Sequence, residues 1–92
     1  MEKIEMTKGK LFYKDSFLKS CQAKVEECRQ GKKGYEIRLD ETVFYPEGGG
    51  QPYDTGKLND VQVFEVHEKD GDVWHYTKEP LEVGTQVHAV ID

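Results

Sequence analysis

The fold is decided by residues 61–77, whose sequence is VQVFEVHEKDGDVWHYT. Apolar and polar side chains alternate on both sides of the segment 69–71, and this period of two is typical of half-buried β-strands. Gly71 can adopt a left-handed backbone conformation. We therefore predict a β-hairpin in which a three-residue loop joins strands 61–68 and 73–77.

A three-residue loop also predicts which residues of the hairpin lie opposite one another. In that register Val66 pairs with Trp74, and Phe64 pairs with Tyr76. Aromatic and β-branched side chains in opposite positions stabilise one face of a sheet.

A second hairpin precedes the first along the chain. Residues 22–26 and 35–39 alternate in the same way, and the Gly-containing segment 30–34 supplies the turn. The apolar positions are all odd-numbered: Ala23, Val25, Tyr35, Ile37 and Leu39. An antiparallel pairing would place them on one face. Composition alone also allows a helix over residues 20–29, but the alternation and the β-branched Val25 favour a strand.

Two more strands are predicted at residues 10–14 and 86–91, and Pro80 and Gly84 break the chain before the last one. About six short strands and no convincing helix indicate a mainly all-β fold. We expect a small closed or partly open antiparallel β-barrel, because closure removes exposed sheet edges. Ninety-two residues are enough for one domain, which we take to be 1–92.

Charge and composition exclude several functional classes. Residues 1–40 contain ten Lys or Arg against seven Asp or Glu, whereas residues 41–92 contain three against eleven. This imbalance argues against a self-sufficient nucleic-acid binder, which needs clustered cations. The lack of a long apolar run argues against a membrane span or signal peptide, so we expect a cytoplasmic protein with no membrane partner. Two cysteines are too few for a disulfide-based scaffold.

The most unusual stretch is residues 42–56, TVFYPEGGGQPYDTG. The glycines at 48–50 lack a Cβ and therefore let the backbone approach another molecule closely. Pro46 and Pro52 restrict the residues before them, and the Gln51 amide can both donate and accept hydrogen bonds. The spacing matches neither a phosphate-binding P-loop nor a dinucleotide fingerprint. Taken alone, the stretch is compatible with a binding loop and equally with a structural crossover.

Residues 40–56, DETVFYPEGGGQPYDTG, resemble the Gly-rich signature of alanyl-tRNA synthetase editing domains and of their free-standing relatives, the AlaX trans-editing proteins. The resemblance continues at 10–18, at 71–76 and at 90–92, so that it covers effectively the whole chain. It implies an N-terminal barrel similar to the translation-protein barrel. It also implies a protein that hydrolyses tRNA(Ala) mischarged with serine or glycine.

The resemblance also assigns roles to residues of the Gly-rich stretch, which in this family lies beside the editing pocket. By match to the motif, the expected substrate-binding residues are Gly48, Gly49, Gly50 and Gln51. The residues expected to shape the loop are Thr42, Pro46, Glu47, Pro52, Asp54 and Gly56.

Family members hold zinc in a domain that follows the barrel, through a His-x-x-x-His segment and a later Cys-x-x-x-His segment. This chain reaches Asp92 without either segment. We therefore expect no catalytic residue and no cofactor in these 92 residues, and no hydrolysis by them alone. The expected partners are mischarged tRNA(Ala) and a C-terminal zinc domain absent from this sequence.

Other clusters offer less specific hypotheses. In the predicted register His67 and His75 share a face near Glu65, which would be a conceivable metal site or simply a solvated face. Cys21 and Cys28 would face opposite sides of one strand about 23 Å apart, too far to share a metal or a disulfide.

The aromatic residues leave a choice between base stacking and packing. For Phe44 and Trp74 packing in the core is the stronger interpretation, whereas Tyr45 and Tyr53 beside the Gly-rich stretch stay open. The alternative functions are a non-catalytic barrel that binds tRNA or a protein partner, and a stand-alone esterase without a recognisable motif.

Overall fold

The computed structural model describes residues 19–46 and 53–92, and every regular element in these ranges is a β-strand. The strands are β1 (Ser20–Gln30), β2 (Tyr35–Leu39), β3 (Gly56–Leu58), β4 (Val61–Lys69), β5 (Asp72–Thr77) and β6 (Gln86–Ile91). The strand predicted at 10–14 lies outside the described residues. No helix in the described ranges is long and apolar enough to cross a membrane.

The six strands form a closed barrel in the order β1-β2-β5-β4-β3-β6, and every neighbouring pair is antiparallel. The predicted all-β barrel is therefore confirmed. Its interior is filled mainly by β-branched and other aliphatic side chains together with one aromatic ring. The buried cluster comprises Ala23, Val25, Ile37, Leu39, Val43, Phe44, Leu58, Val63, Val66, Val73, Val87 and Ala89.

The first hairpin is present and β2 has the predicted bounds, but β1 extends beyond the predicted 22–26 to Ser20–Gln30 and contains a β-bulge that shifts the register. Val25 pairs with Leu39, whereas Cys28 pairs with Ile37, because the register shifts between Val25 and Glu27. An extra residue in one strand reverses which side chains face inward beyond it. Cys21 and Cys28 consequently both pack against the interior cluster, and the prediction that they face opposite sides is wrong. Both are free thiols.

The predicted register of the second hairpin is wrong by one residue between the turn and Glu65, and a bulge after Val63 restores it where Val63 pairs with Thr77. The turn contains two residues, Asp70 and Gly71, both with positive φ (52° and 86°). This is the conformation of a type I′ turn, whose twist matches that of the flanking strands. Val66 therefore pairs with His75 rather than with Trp74, and His67 pairs with Trp74.

This change of register reverses the face of the sheet on which His75 was predicted to lie. His75 becomes fully buried inside the barrel, on the opposite side of the sheet from His67. Trp74 is also buried, with only 5% of its surface exposed, but it does not belong to the interior cluster. Its ring is covered by the Arg29 guanidinium, 4.1 Å from the ring centroid. Phe44 packs in the core as predicted.

Two elements close the barrel after the Gly-rich stretch. Strand β6 has the predicted bounds and pairs with both β1 and β3. Strand β3, which the sequence pattern did not predict, is short and lies between β4 and β6. The segment before β6 turns at Gly84, whose φ is 93°, and its amide donates to the Val25 carbonyl.

Candidate functional site

The described residues on either side of 47–52 form a connected group that we call the loop base: Thr42, Phe44, Tyr45, Asp54 and Gly56. Two reciprocal hydrogen bonds join its two sides. The Tyr45 amide donates to Oδ2 of Asp54 at 2.9 Å, and the Asp54 amide donates to the Tyr45 carbonyl at 2.9 Å. The described residues that flank 47–52 are therefore held side by side.

The side of the loop base that follows the Gly-rich segment, which we call the returning side (Asp54 to Gly56), is also attached to the end of β6. The Thr55 hydroxyl donates to Oδ2 of Asp92 at 3.0 Å, and the Asp92 amide donates to the Thr55 carbonyl at 2.9 Å. These bonds continue the pairing between β3 and β6, in which Gly56 lies opposite Ile91. The C-terminal side of the loop base is thus anchored to the sheet through β3 and β6.

Gly56 is required by close packing at this point. A Cβ at this position would lie 2.0 Å from the Val90 carbonyl oxygen and 3.0 Å from Cζ of Phe44. Any larger side chain would have to displace the backbone of β6. The absence of a side chain allows the Phe44 ring to contact the backbone of β3 directly.

Thr42 connects the leading side of the loop base to His75. The Thr42 hydroxyl accepts a hydrogen bond from the Phe44 amide at 3.0 Å, and its oxygen lies 2.7 Å from Nε2 of His75. Nδ1 of His75 lies 2.9 Å from the Ile37 carbonyl oxygen, which can only accept. Nδ1 therefore carries the proton, and Nε2 accepts from the Thr42 hydroxyl.

Burial keeps this imidazole neutral. Removal from water lowers the pKa of His75 to about 4, and the hydrogen bond to the Ile37 carbonyl opposes that shift only in part. A neutral ring has one donor and one acceptor nitrogen, and both are used here. The structure therefore defines one tautomer of His75.

The structure places the predicted loop-shaping residues unevenly. Thr42 and Pro46 are buried, and Asp54 and Gly56 make the contacts given above. The remaining predicted site residues lie outside the described residues: Glu47, Gly48, Gly49, Gly50, Gln51 and Pro52. Sequence reasoning missed the connection of His75 to the loop base. The Asp-Gly dipeptide in the turn was the available signal, because a two-residue turn directs His75 inward.

The His67, Glu65 and His75 metal hypothesis does not fit the structure, because His75 lies inside the barrel. His67 instead hydrogen-bonds to Glu65, with Nε2 2.8 Å from Oε1, and Lys33 lies 3.0 Å from the same carboxylate. These hydrogen bonds from His67 and Lys33 lower the pKa of Glu65. Within residues 19–46 and 53–92, no group of three His, Cys, Asp or Glu side chains is placed to hold a metal ion.

A groove of about 570 Å³ lies outside the barrel between the turns of the two hairpins. Three lysines line it together with Tyr76, and two of them are engaged by carboxylates. Lys33 pairs with Glu65 at 3.0 Å, and Lys69 lies 3.6 Å from Glu36. Because glutamates alternate with the lysines, the groove does not form a continuous cationic surface.

Comparison with known proteins gives consistent results. The family described as tRNA synthetases class II (A) matches residues 2–92. The chain is 46% identical over 92 residues to the alanyl-tRNA editing protein AlaX-M of Pyrococcus horikoshii, covering 97% of this chain and 40% of that protein. It is 35% identical over 92 residues to the alanyl-tRNA editing protein Aarsd1 of Bos taurus, covering 86% and 21%.

A third similarity is to a synthetase. The chain is 40% identical over 87 residues to the alanine–tRNA ligase of Halorubrum lacusprofundi, covering 90% of this chain and 9% of the ligase. The chain thus spans 40% or less of the length of each of these three relatives.

Proposed function

This chain belongs to the family of alanyl-tRNA editing proteins and alanyl-tRNA synthetase editing domains, and we propose that it is the N-terminal barrel of a protein that edits mischarged tRNA(Ala). The observation that carries the proposal is 46% identity to an AlaX-M editing protein over nearly the whole chain. The residues of the loop base all lie within the Gly-rich signature at 40–56.

The proposed reaction is hydrolysis of the ester that joins serine or glycine to tRNA(Ala). The oxygen of a water molecule bonds to the carbonyl carbon, and the bond from that carbon to the ribose oxygen breaks. The ribose oxygen takes a proton from that water and becomes a hydroxyl, and the free amino acid leaves. Removal of the wrong amino acid returns the tRNA for correct charging.

In this reaction we assign the barrel a binding role. Gly48, Gly49 and Gly50 would let backbone N–H groups approach the aminoacyl end of the tRNA, and the Gln51 amide would bind it. Thr42, Pro46, Glu47, Pro52, Asp54 and Gly56 would shape the loop. The reciprocal bonds between Tyr45 and Asp54 support this role, because they hold both ends of 46–53 at one point.

We propose that a zinc ion acts in a further domain of the protein. The described residues of the barrel do not offer a zinc site, since they contain no suitable cluster of ligands. Zinc-dependent hydrolysis needs three protein ligands and an open position for water. The barrel would contribute to substrate binding beside that site.

The proposal is tested with the full-length protein and three labelled substrates: Ser-tRNA(Ala), Gly-tRNA(Ala) and Ala-tRNA(Ala). We expect at least one of the mischarged substrates to lose its amino acid at least tenfold faster than in buffer, and faster than the correctly charged control. Hydrolysis at the buffer rate for all three would overturn the proposal. Salt-sensitive tRNA binding without hydrolysis would instead support the alternative of a non-catalytic binding module.

A further inference from the structure

We propose that His75 is a positioning residue for editing, because its ring fixes the backbone that leads into the Gly-rich segment. This inference rests on the function proposed above. His75 lies in β5, remote in sequence from the segment that it would hold.

A continuous series of hydrogen bonds connects the backbone at Phe44 to His75 and to β2. The Phe44 amide donates to the Thr42 hydroxyl, which donates to Nε2 of His75, and Nδ1 of His75 donates to the Ile37 carbonyl. The donor–acceptor distances are 3.0, 2.7 and 2.9 Å. The backbone at Phe44 is thereby linked through one imidazole to β2, in the wall of the barrel.

The same ring also reaches the returning side of the loop base. His75 packs edge-on against Phe44, with ring centroids 5.2 Å apart and an interplanar angle of 89°. Phe44 in turn lies against Gly56, where even a methyl group would lie 3.0 Å from its Cζ. A displacement of the imidazole would therefore move both ends of the segment that contains 47–52.

The need to fill interior space does not explain why a histidine stands at position 75. An aliphatic side chain would fill the same space without the free-energy cost of burying a polar ring. The neighbouring inward residue Thr77 shows the contrast. Its buried hydroxyl donates at 2.7 Å to the Glu79 carbonyl, which follows the C-terminal end of β5, and this bond is not to the loop base.

The experiment uses two pairs of variants in the full-length protein. Thr42→Val keeps the side-chain shape but removes the hydroxyl, whereas Thr42→Ser keeps the hydroxyl. His75→Asn can bond to Ile37 but is too short to reach Thr42, whereas the amide of His75→Gln can reach it. Thr77→Val is the matched control, because it removes a buried hydroxyl from the same strand without touching the loop base.

The rate constant and KM for Ser-tRNA(Ala) are measured separately, at a temperature at which every variant is folded. We expect Thr42→Val and His75→Asn to lower kcat at least tenfold with little change in KM, and Thr42→Ser and His75→Gln to recover most of it. Thr77→Val should lower the melting temperature and keep the wild-type kcat. Wild-type kcat in Thr42→Val and His75→Asn, or an equal loss in Thr77→Val, would overturn the inference.

A second measurement separates this inference from the proposed function. Amide NMR signals of residues 48–51 report the loop whether or not the protein hydrolyses any ester. We expect these signals to shift in Thr42→Val and His75→Asn and to stay in place in Thr77→Val. Unchanged signals in the first two variants would refute the positioning role even if the wild-type protein edits tRNA(Ala).

Discussion

Acidification should destabilise the barrel through His75 in a defined pH range. The pKa of this imidazole is lowered from about 6.5 to about 4 by burial, so the unfolded chain binds a proton that the folded barrel excludes. The stability contributed by the neutral ring is fully present above pH 6.5 and is lost as the pH falls towards 4. Below that value both states are protonated and the dependence ends.

The magnitude follows from the two pKa values. Between pH 7 and pH 5 the folded state should lose about 2 kcal/mol, and the limiting loss is about 3 kcal/mol. For a domain of this size, 2 kcal/mol corresponds to a fall of about 10 °C in melting temperature. Glu65, whose pKa is lowered by His67 and Lys33, loses its contribution only below its ordinary value of 4.5. The change in folding free energy between pH 5 and 7 therefore reports the His75 imidazole and not the Glu65 carboxylate.

The assay combines thermal unfolding of the 92-residue chain at several pH values with NMR titration of its histidine rings. The ring signals are assigned with single substitutions of His67 and His88, the other two histidines. We expect His75 to remain the δ-protonated neutral tautomer down to pH 5. A His75 ring that takes up a proton above pH 6 in the folded chain, or a melting temperature unchanged between pH 7 and pH 5, would refute the reasoning.

Three further substitutions test the loop base and the β4–β5 turn, and a fourth, Gly31→Ala, serves as a comparison. Gly56→Ala would place a Cβ 2.0 Å from the Val90 carbonyl oxygen, and we expect it to lower the free energy of unfolding by about 3 kcal/mol. Gly31→Ala, which meets mainly a flexible side chain, should cost less than about 1 kcal/mol, and equal losses in urea titrations would contradict this contrast. Asp54→Ala removes the carboxylate that accepts a hydrogen bond at the loop base and should cost about 1–2 kcal/mol; an unchanged urea midpoint would show that this bond does not contribute. Gly71→Ala has open space around its Cβ but a φ of 86°, so it should cost about 1 kcal/mol, and a loss above about 3 kcal/mol would contradict a purely backbone origin.

The sequence predicted the barrel because apolar and polar residues alternate clearly in strands that line its interior. Ala23, Val25, Ile37 and Leu39 have the period of two and are all buried. The bounds of β6 were also predicted, since Val87 and Ala89 alternate with Gln86 and His88. Strand β3 was missed because three residues are too few to show any period.

The errors of register have one physical cause, which is that a single residue changes the face of everything beyond it. A bulge after Val25 turned Cys28 inward, and a two-residue turn at Asp70 turned His75 inward. Neither the bulge nor the turn type changes the composition of its strand. The Thr42–His75 hydrogen bond depends on this register, so the alternation of apolar and polar residues could not predict it, and the Asp70-Gly71 dipeptide was the available signal.

The central claim is that this barrel presents its Gly-rich segment to an aminoacyl ester, and the most direct test is the single-turnover hydrolysis of Ser-tRNA(Ala) by the full-length protein with and without Gln51→Ala. Zinc content and melting temperature are measured on the same samples. We expect at least a tenfold slower hydrolysis in Gln51→Ala, with zinc content and melting temperature unchanged. Hydrolysis by Gln51→Ala at the wild-type rate would contradict the claim.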